Sequence, residues 1–274
     1  MSDYYINGSW NSSGEAYHIA MHGLLISPEE RSHFGIIPEK GHDEKNLFEL
    51  LRDLQINYWT DKTCSRKMGL SETANTIFLR YHRDQVNAKR WIIEGMARDQ
   101  GWKNPFKKQF RSDKPKVLIW QRPETMKFEH WRNTKPTLTQ QMIGMLQSSD
   151  ITPILIGPKV YDSSCINLGD FWTDGFFQNG HNLCKQLWFQ HDLFQNYNVQ
   201  ASIGMMSGGM DGAALFFGHK TIFIARESDA KPRMAKVASV VPGMNWLRVE
   251  YPDTGLDKLP QEKLSELHGL ISLS

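Results

Sequence analysis

Cysteine is scarce in this chain, and what there is carries no pattern. The 274 residues hold three, Cys64, Cys165 and Cys184, with no C-x-x-C pair among them. A disulfide framework and a zinc ribbon are thereby excluded. No apolar run approaches the roughly 18 residues of a membrane span. The opening stretch MSDYYINGSWNSSGEAYH lacks the basic and apolar regions of a secretory signal. The expectation is therefore a cytoplasmic protein with no membrane partner. Asn7-Gly8-Ser9 and Asn11-Ser12-Ser13 then read as chance matches to the glycosylation triplet. A dominant charge is also missing: 32 Lys and Arg against 30 Asp and Glu leave +2. No global field commits such a chain to nucleic acid or membrane.

What is present is globular. Apolar residues make up 40% and aromatics 11%, enough for the core of one large domain or two modest ones. One local exception to the charge balance is KNPFKKQFRSDKPK, residues 103–116, with six Lys and Arg and one Asp. It reads first as a solvated linker and second as a polyanion-binding patch.

Before that linker the pattern is mixed. Residues 16–27, AYHIAMHGLLIS, read as one or two buried strands, and 75–82, NTIFLRYH, as another strand. EKNLFELLRDLQ (44–55) spaces Leu47, Leu50, Leu51 and Leu54 as an amphipathic helix that Asp43 could cap. Residues 85–102 read as a helix ending near Gly101.

After the linker, strand and helix alternate. Short apolar runs at 116–121, 151–157, 201–206 and 220–225 predict strands. Residues 137–149, 182–196, 211–218 and 260–273 predict helices. Apolar strands joined by helices imply a parallel sheet covered on both faces. The second half is α/β with Rossmann-like character, and the junction near residues 103–115 divides the chain into 1–112 and 113–274, the latter with a closing C-terminal helix.

Ligands of such sheets bind beyond the carboxyl ends of the strands. Four chemistries stand there. Arg122 follows the strand 116–121 and suits bidentate phosphate binding. Gly157-Pro158 makes a turn whose backbone could flank a nucleobase. Ser207-Gly208-Gly209-Met210-Asp211-Gly212 follows the strand 201–206. Its glycines permit positive φ and close approach of a ligand, and the helix after it points N–H groups at an anion. Asp211 reads as a helix cap or an acceptor from a sugar hydroxyl, and the plain alternative for the whole stretch is a tight strand-to-helix turn. Arg226 ends the strand 220–225. The turn matches neither G-x-G-x-x-G nor G-x-x-x-x-G-K-[ST].

The order strand-Arg, helix, strand-Gly-Pro, helix, strand-Ser-Gly-Gly-x-x-Gly-Ala-Ala resembles the donor-binding domain of GT-B glycosyltransferases. KVLIWQRPE is similar to the strand-end Arg motif of fucosyltransferase-type members, with Trp120 where that motif has His. The resemblance covers roughly residues 115–226 and implies a fold class of α/β with two Rossmann-like domains, the N-terminal one reduced, with 1–112 as the acceptor-side domain and 113–274 as the donor-binding domain. It implies transfer of a hexosyl or pentosyl group from a nucleoside-diphosphate sugar, with the diphosphate held by Ser207–Gly212 and Arg122. It also implies no metal and no cofactor beyond the co-substrate. Asp-x-Asp, the metal-chelating motif of the other main glycosyltransferase fold, occurs nowhere.

A base to deprotonate the acceptor would come from the N-terminal half, among His18, His22, His33, His42 and Asp43. His22 and Asp43 are the expected pair. The acceptor is open: the basic stretch 103–116 and eight aromatics within 171–197 admit nucleic acid, including a flipped modified base. GDFWTDGFFQNGHNL (169–183) reads as an aromatic-packed loop, with Asp170 or Asp174 reaching sugar hydroxyls as its functional version. The rival readings are a sugar-nucleotide epimerase or hydrolase on the same fold, and a nucleotide-binding module without activity.

Overall fold

Apolar alternation along single strands sets the layers of this molecule. The computed structural model describes residues 4–6, 13–36, 45–60, 67–122, 130–157, 165–168, 182–229 and 232–272. Among them are two parallel sheets. The smaller has β1 (Tyr4–Ile6), β2 (Phe34–Ile36) and β3 (Lys67–Met68) in the order β2-β1-β3. The larger has β4 (Lys116–Trp120), β5 (Thr152–Ile156), β6 (Ile166–Asn167), β7 (Val199–Met205), β8 (Thr221–Arg226) and β9 (Met244–Val249). Its order is β6-β5-β4-β7-β8-β9.

Helices α1 (Ser13–Leu25), α2 (Pro28–Arg31), α3 (Lys45–Asp53), α4 (Leu70–Arg80) and α5 (Arg83–Asp99) belong to the first half. The second half contributes α6 (Pro136–Ser148), α7 (Asn182–Asn196), α8 (Asp211–Phe217), α9 (Pro232–Ala238) and α10 (Gln261–Ser272).

On β4, Val117 and Ile119 enter one apolar cluster and Leu118 and Trp120 the other. The first face packs on α6 and α10 through Leu138, Met142, Leu146, Leu267 and Ile271. The second packs on α7 and α8 and continues without a break into α1 and the small sheet, through Tyr17, Ile19, Ile6 and Phe34. The small sheet thus lies before residue 113 and the large sheet after it, with one cluster running through both.

Two expected strands are helices. Residues 16–27 fall almost wholly in α1, where Tyr17, Ile19, Ala20 and Met21 have no exposed surface. A helix buried on every side shows no 3.6-residue stripe, so its run of apolar residues imitates a buried strand. Residues 75–80 are the second half of α4. Its β-branched Thr73 and Thr76 fit because their hydroxyls donate to Leu70 O (2.7 Å) and Glu72 O (3.2 Å). The Glu72 carboxylate accepts from the Gly69 N–H at 2.8 Å and starts the helix.

At the seam between β4 and β7 the backbones sit close. A Cβ on Gly204 would lie 2.8 Å from Trp120 Cβ and 2.9 Å from its carbonyl oxygen. Gly144, on the exposed side of α6, has nothing within 4 Å. One substitution should therefore act in opposite directions. Gly204→Ala is expected to destabilise by about 1–3 kcal/mol through overpacking, and Gly144→Ala to stabilise by up to about 1 kcal/mol. Urea unfolding of the two variants checks both signs.

Burial also makes the fold acid-sensitive. His22 sits in the core with Nε2 3.1 Å from the Tyr4 hydroxyl, and burial lowers its pKa from 6.5 to about 4. His219 is pushed down to about 3, mainly by burial and then by the neighbouring His191. The folded chain resists these protons while the unfolded chain takes them up near pH 6.5. Stability is then full above pH 6.5 and declines towards pH 4, by about 1.4 kcal/mol per pH unit for each histidine. Unfolding midpoints measured from pH 7 to 4.5 should fall less steeply in His22→Asn than in the unsubstituted protein, and equal slopes would refute this account.

Candidate functional site

Numbered from its own first strand, the large sheet runs 3-2-1-4-5-6. Connections leave β4 to one side and β7 to the other, so a crevice opens between their carboxyl ends. Gln121 and Arg122 stand on one side of it, Met206 and Ser207 on the other. The backbone of Arg122 is pinned twice: its N–H donates to Thr134 Oγ1 at 3.0 Å and its carbonyl accepts from the Thr134 N–H at 2.9 Å. Gly157 ends β5 beside them with φ of 96°. A Cβ there would lie 2.6 Å from the Gln121 carbonyl oxygen, so only glycine suits this position.

The turn from Ser207 to Gly212 departs from expectation in its backbone. Residues 208–210 form a single 3-10 turn that leads directly into α8, with the Met210 N–H donating to Ser207 O at 3.0 Å. Among the described residues, positive-φ glycines are Gly101, Gly157, Gly218 and Gly255, so Gly208, Gly209 and Gly212 do not use left-handed freedom. What the turn needs is space. A Cβ on Gly14 would lie 2.6 Å from Gly208 Cα, and one on Gly212 would lie 2.4 Å from Leu187 Cδ2 and 2.9 Å from Tyr17 Cε2. The glycines let α1 lie directly on the turn.

Asp211 caps nothing, because the cap position of α8 is Met210 and it makes no side-chain bond. Its carboxylate turns to α1, where Oδ2 stands 3.4 Å from His18 Nε2. Ser207 and Gly208 remain half-buried, whereas Gly209 and Met210 are buried. The part of the turn that a ligand can reach is thus its first two residues.

Arg226 stands at the same edge, at the end of β8. Its Nη1 is 2.7 Å from Asp253 Oδ1, and its guanidinium lies over the rings of Trp131 (5.6 Å) and Tyr251 (5.1 Å). His22 lies eight residues along α1 from Gly14, inside the core. Asp43, Asp170 and Asp174 fall outside the described residues.

Glu15 was not among the sequence candidates, because it precedes the run 16–27 that read as strand and was placed in no element. It sits half-buried in the first turn of α1, next to the Gly14–Gly208 contact. His18 was only one of five candidates on sequence, and its position beside Asp211 was not legible there.

The basic stretch 103–116 precedes β4 and so lies at the amino edge. Four strand residues, Val117 to Trp120, about 14 Å at roughly 3.4 Å each, separate it from the crevice edge. Two of its cations are engaged locally: Lys114 pairs with Asp150 at 2.5 Å, and Lys116 donates to the Lys114 carbonyl at 2.9 Å. Among the described residues no helix is long and apolar enough to cross a membrane, and no group of three His, Cys, Asp or Glu could hold a metal ion.

No family model matches the sequence, and no curated protein matches it. Among solved structures the chain is similar to E. coli ADP-heptose lps heptosyltransferase II, at 11% identity and a TM-score of 0.46, over 99% of this chain and 98% of that one. It is also similar to E. coli heptosyltransferase WaaC with ADP-2-deoxy-2-fluoro heptose, at 12% identity and a TM-score of 0.44, over 98% of this chain and 99% of that one. A third similarity is to E. coli heptosyltransferase WaaC with ADP, at 12% identity and a TM-score of 0.42, over 98% of this chain and 97% of that one.

Proposed function

We propose that this protein transfers a sugar from a nucleoside-diphosphate sugar to an acceptor hydroxyl, amine or other nucleophile. One observation carries the reading: strand order sets Arg122 and the Ser207–Gly208 backbone on opposite sides of the crevice between β4 and β7. A cation on a pinned backbone at one strand end, with glycine backbone at the neighbouring strand end, suits a diphosphate.

In the reaction the acceptor's nucleophilic atom attacks the anomeric carbon, and the bond from that carbon to the diphosphate oxygen breaks. Negative charge grows on the leaving diphosphate. Arg122 and the N–H groups of the turn stabilise it more than they stabilise the bound donor, which is where the rate gain arises. Nothing in that step requires a metal ion. Glu15 takes the proton lost by the acceptor, since it extends from the first turn of the helix that touches the donor turn. His22 is no base in this scheme, being buried and hydrogen-bonded to Tyr4. The basic stretch at the amino edge lies away from an acceptor bound at the crevice, so it does not favour nucleic acid over other acceptors.

Thermal shift with ADP-, GDP- and UDP-sugars should reveal stabilisation by at least one. Arg122→Ala and Gly209→Val are both expected to abolish that shift; persistence in both would place the donor elsewhere. A panel with no stabilising nucleotide sugar would sink the proposal. With the active donor in hand, Glu15→Gln should keep the thermal shift and lose about 10²- to 10⁴-fold in turnover.

A further inference from the structure

One face of α1 is keyed to the donor turn at three points. Gly14, Tyr17 and His18 are spaced i, i+3 and i+4, and so share that face. Gly14 lies on Gly208, the Tyr17 ring lies on Gly212, and His18 faces Asp211. The side chains of His18 and Asp211 are only 9% and 8% exposed. His18 Nε2 makes no hydrogen bond among the described residues, and the group it faces is the Asp211 carboxylate, with Oδ2 at 3.4 Å. A carboxylate so buried needs a partner of this kind to remain where it is. The Asp211 carboxylate is therefore spent on α1, although the residue opens the helix that follows the turn.

We propose that His18 and Asp211 are positioning residues that fix the Ser207–Gly212 turn to α1. Affinity for a nucleoside diphosphate is then set by a buried pair that the ligand does not touch. This rests on the reading of the turn as the diphosphate seat. Glu15 belongs to the same stretch of helix, so the pair also sets the spacing between the base and the leaving group. Displacing such a seat by an ångström is enough to weaken function by on the order of 10²-fold.

The experiment compares Asp211→Asn, which is nearly isosteric, with His18→Leu and with His18→Gln, which keeps a polar amide facing Asp211. Three quantities are read: urea stability, hydrogen exchange of residues 207–212, and calorimetric binding of ADP, GDP and UDP. Asp211→Asn and His18→Leu should speed exchange in the turn while leaving α10 unchanged. They should also weaken whichever nucleoside diphosphate binds by on the order of 10²-fold, and His18→Gln should retain most of the affinity. If His18→Leu does not fold, Asp211→Asn decides alone. Unchanged exchange and affinity in folded Asp211→Asn overturn the inference. So does exchange that rises uniformly along the chain, which would mean a stabilising role only. If the unsubstituted protein binds none of the three nucleotides, the glycosyltransferase reading fails. Turn exchange in Asp211→Asn then separately decides whether the pair fixes the turn.

Discussion

The approach of α1 to the Ser207–Gly212 turn leaves no room for a methyl group, and much of the molecule depends on that contact. Gly14 meets Gly208 backbone to backbone, and Gly212 accepts the edge of the Tyr17 ring. With the helix seated so deeply, Tyr17 reaches Phe216 at 6.0 Å in an edge-to-face pair, and Tyr17, Ile19 and Met21 join the cluster that covers one face of the large sheet. Remove the contact and α1 loses its floor while the sheet loses part of its cover. The first half of the chain is thereby tied to the second by packing density, which tolerates extra volume poorly.

A second constraint works on the sheet itself. Gly204 brings β7 against Trp120 of β4, and Gly157 lets the end of β5 close on Gln121. Both glycines lie within a few residues of the crevice. The strand ends that carry Arg122 and Ser207 are consequently held by backbone contacts, and Thr134 adds two hydrogen bonds to Arg122. A cation at a strand end becomes useful for recognition when its backbone is held in this way.

Four strands of the second half were legible in sequence because their apolar runs are continuous and bounded, whereas β6, β9 and α9 were not read. The segments 116–121, 151–157 and 220–225 each end at Gly, Pro or Arg, and each is a strand in place. The helix 44–55 was legible for a related reason: its leucines face one side, and Leu47, Leu50, Leu51 and Leu54 are all buried. The first half hid itself. Its strands are two or three residues long, too short to show alternation, and α1 is buried all round. Misreading α1 also hid Glu15 and the facing of His18, since neither has meaning until Ser13–Leu25 is a helix. The glycine turn follows β7, as the sequence reading places it, but its backbone conformation differs from the one expected. Its glycines serve close packing, and a sequence alone cannot separate that from positive φ.

Packing by glycine, and the ligand approach proposed for the same turn, would reinforce each other. One side of the backbone is pressed by Gly14 and drawn by the His18–Asp211 contact, while Ser207 and Gly208 keep a half-buried aspect towards the crevice. A backbone clamped from behind cannot relax when an anion arrives, so its N–H groups need little reorganisation to meet developing charge. Preorganised dipoles of this sort are worth more to a transition state than flexible ones, because their ordering was completed on folding. The rigidity that α1 imposes on the turn is thus part of the chemistry proposed for it. The sequence expresses the same requirement twice, as Gly14 in the helix and as Gly208 in the turn.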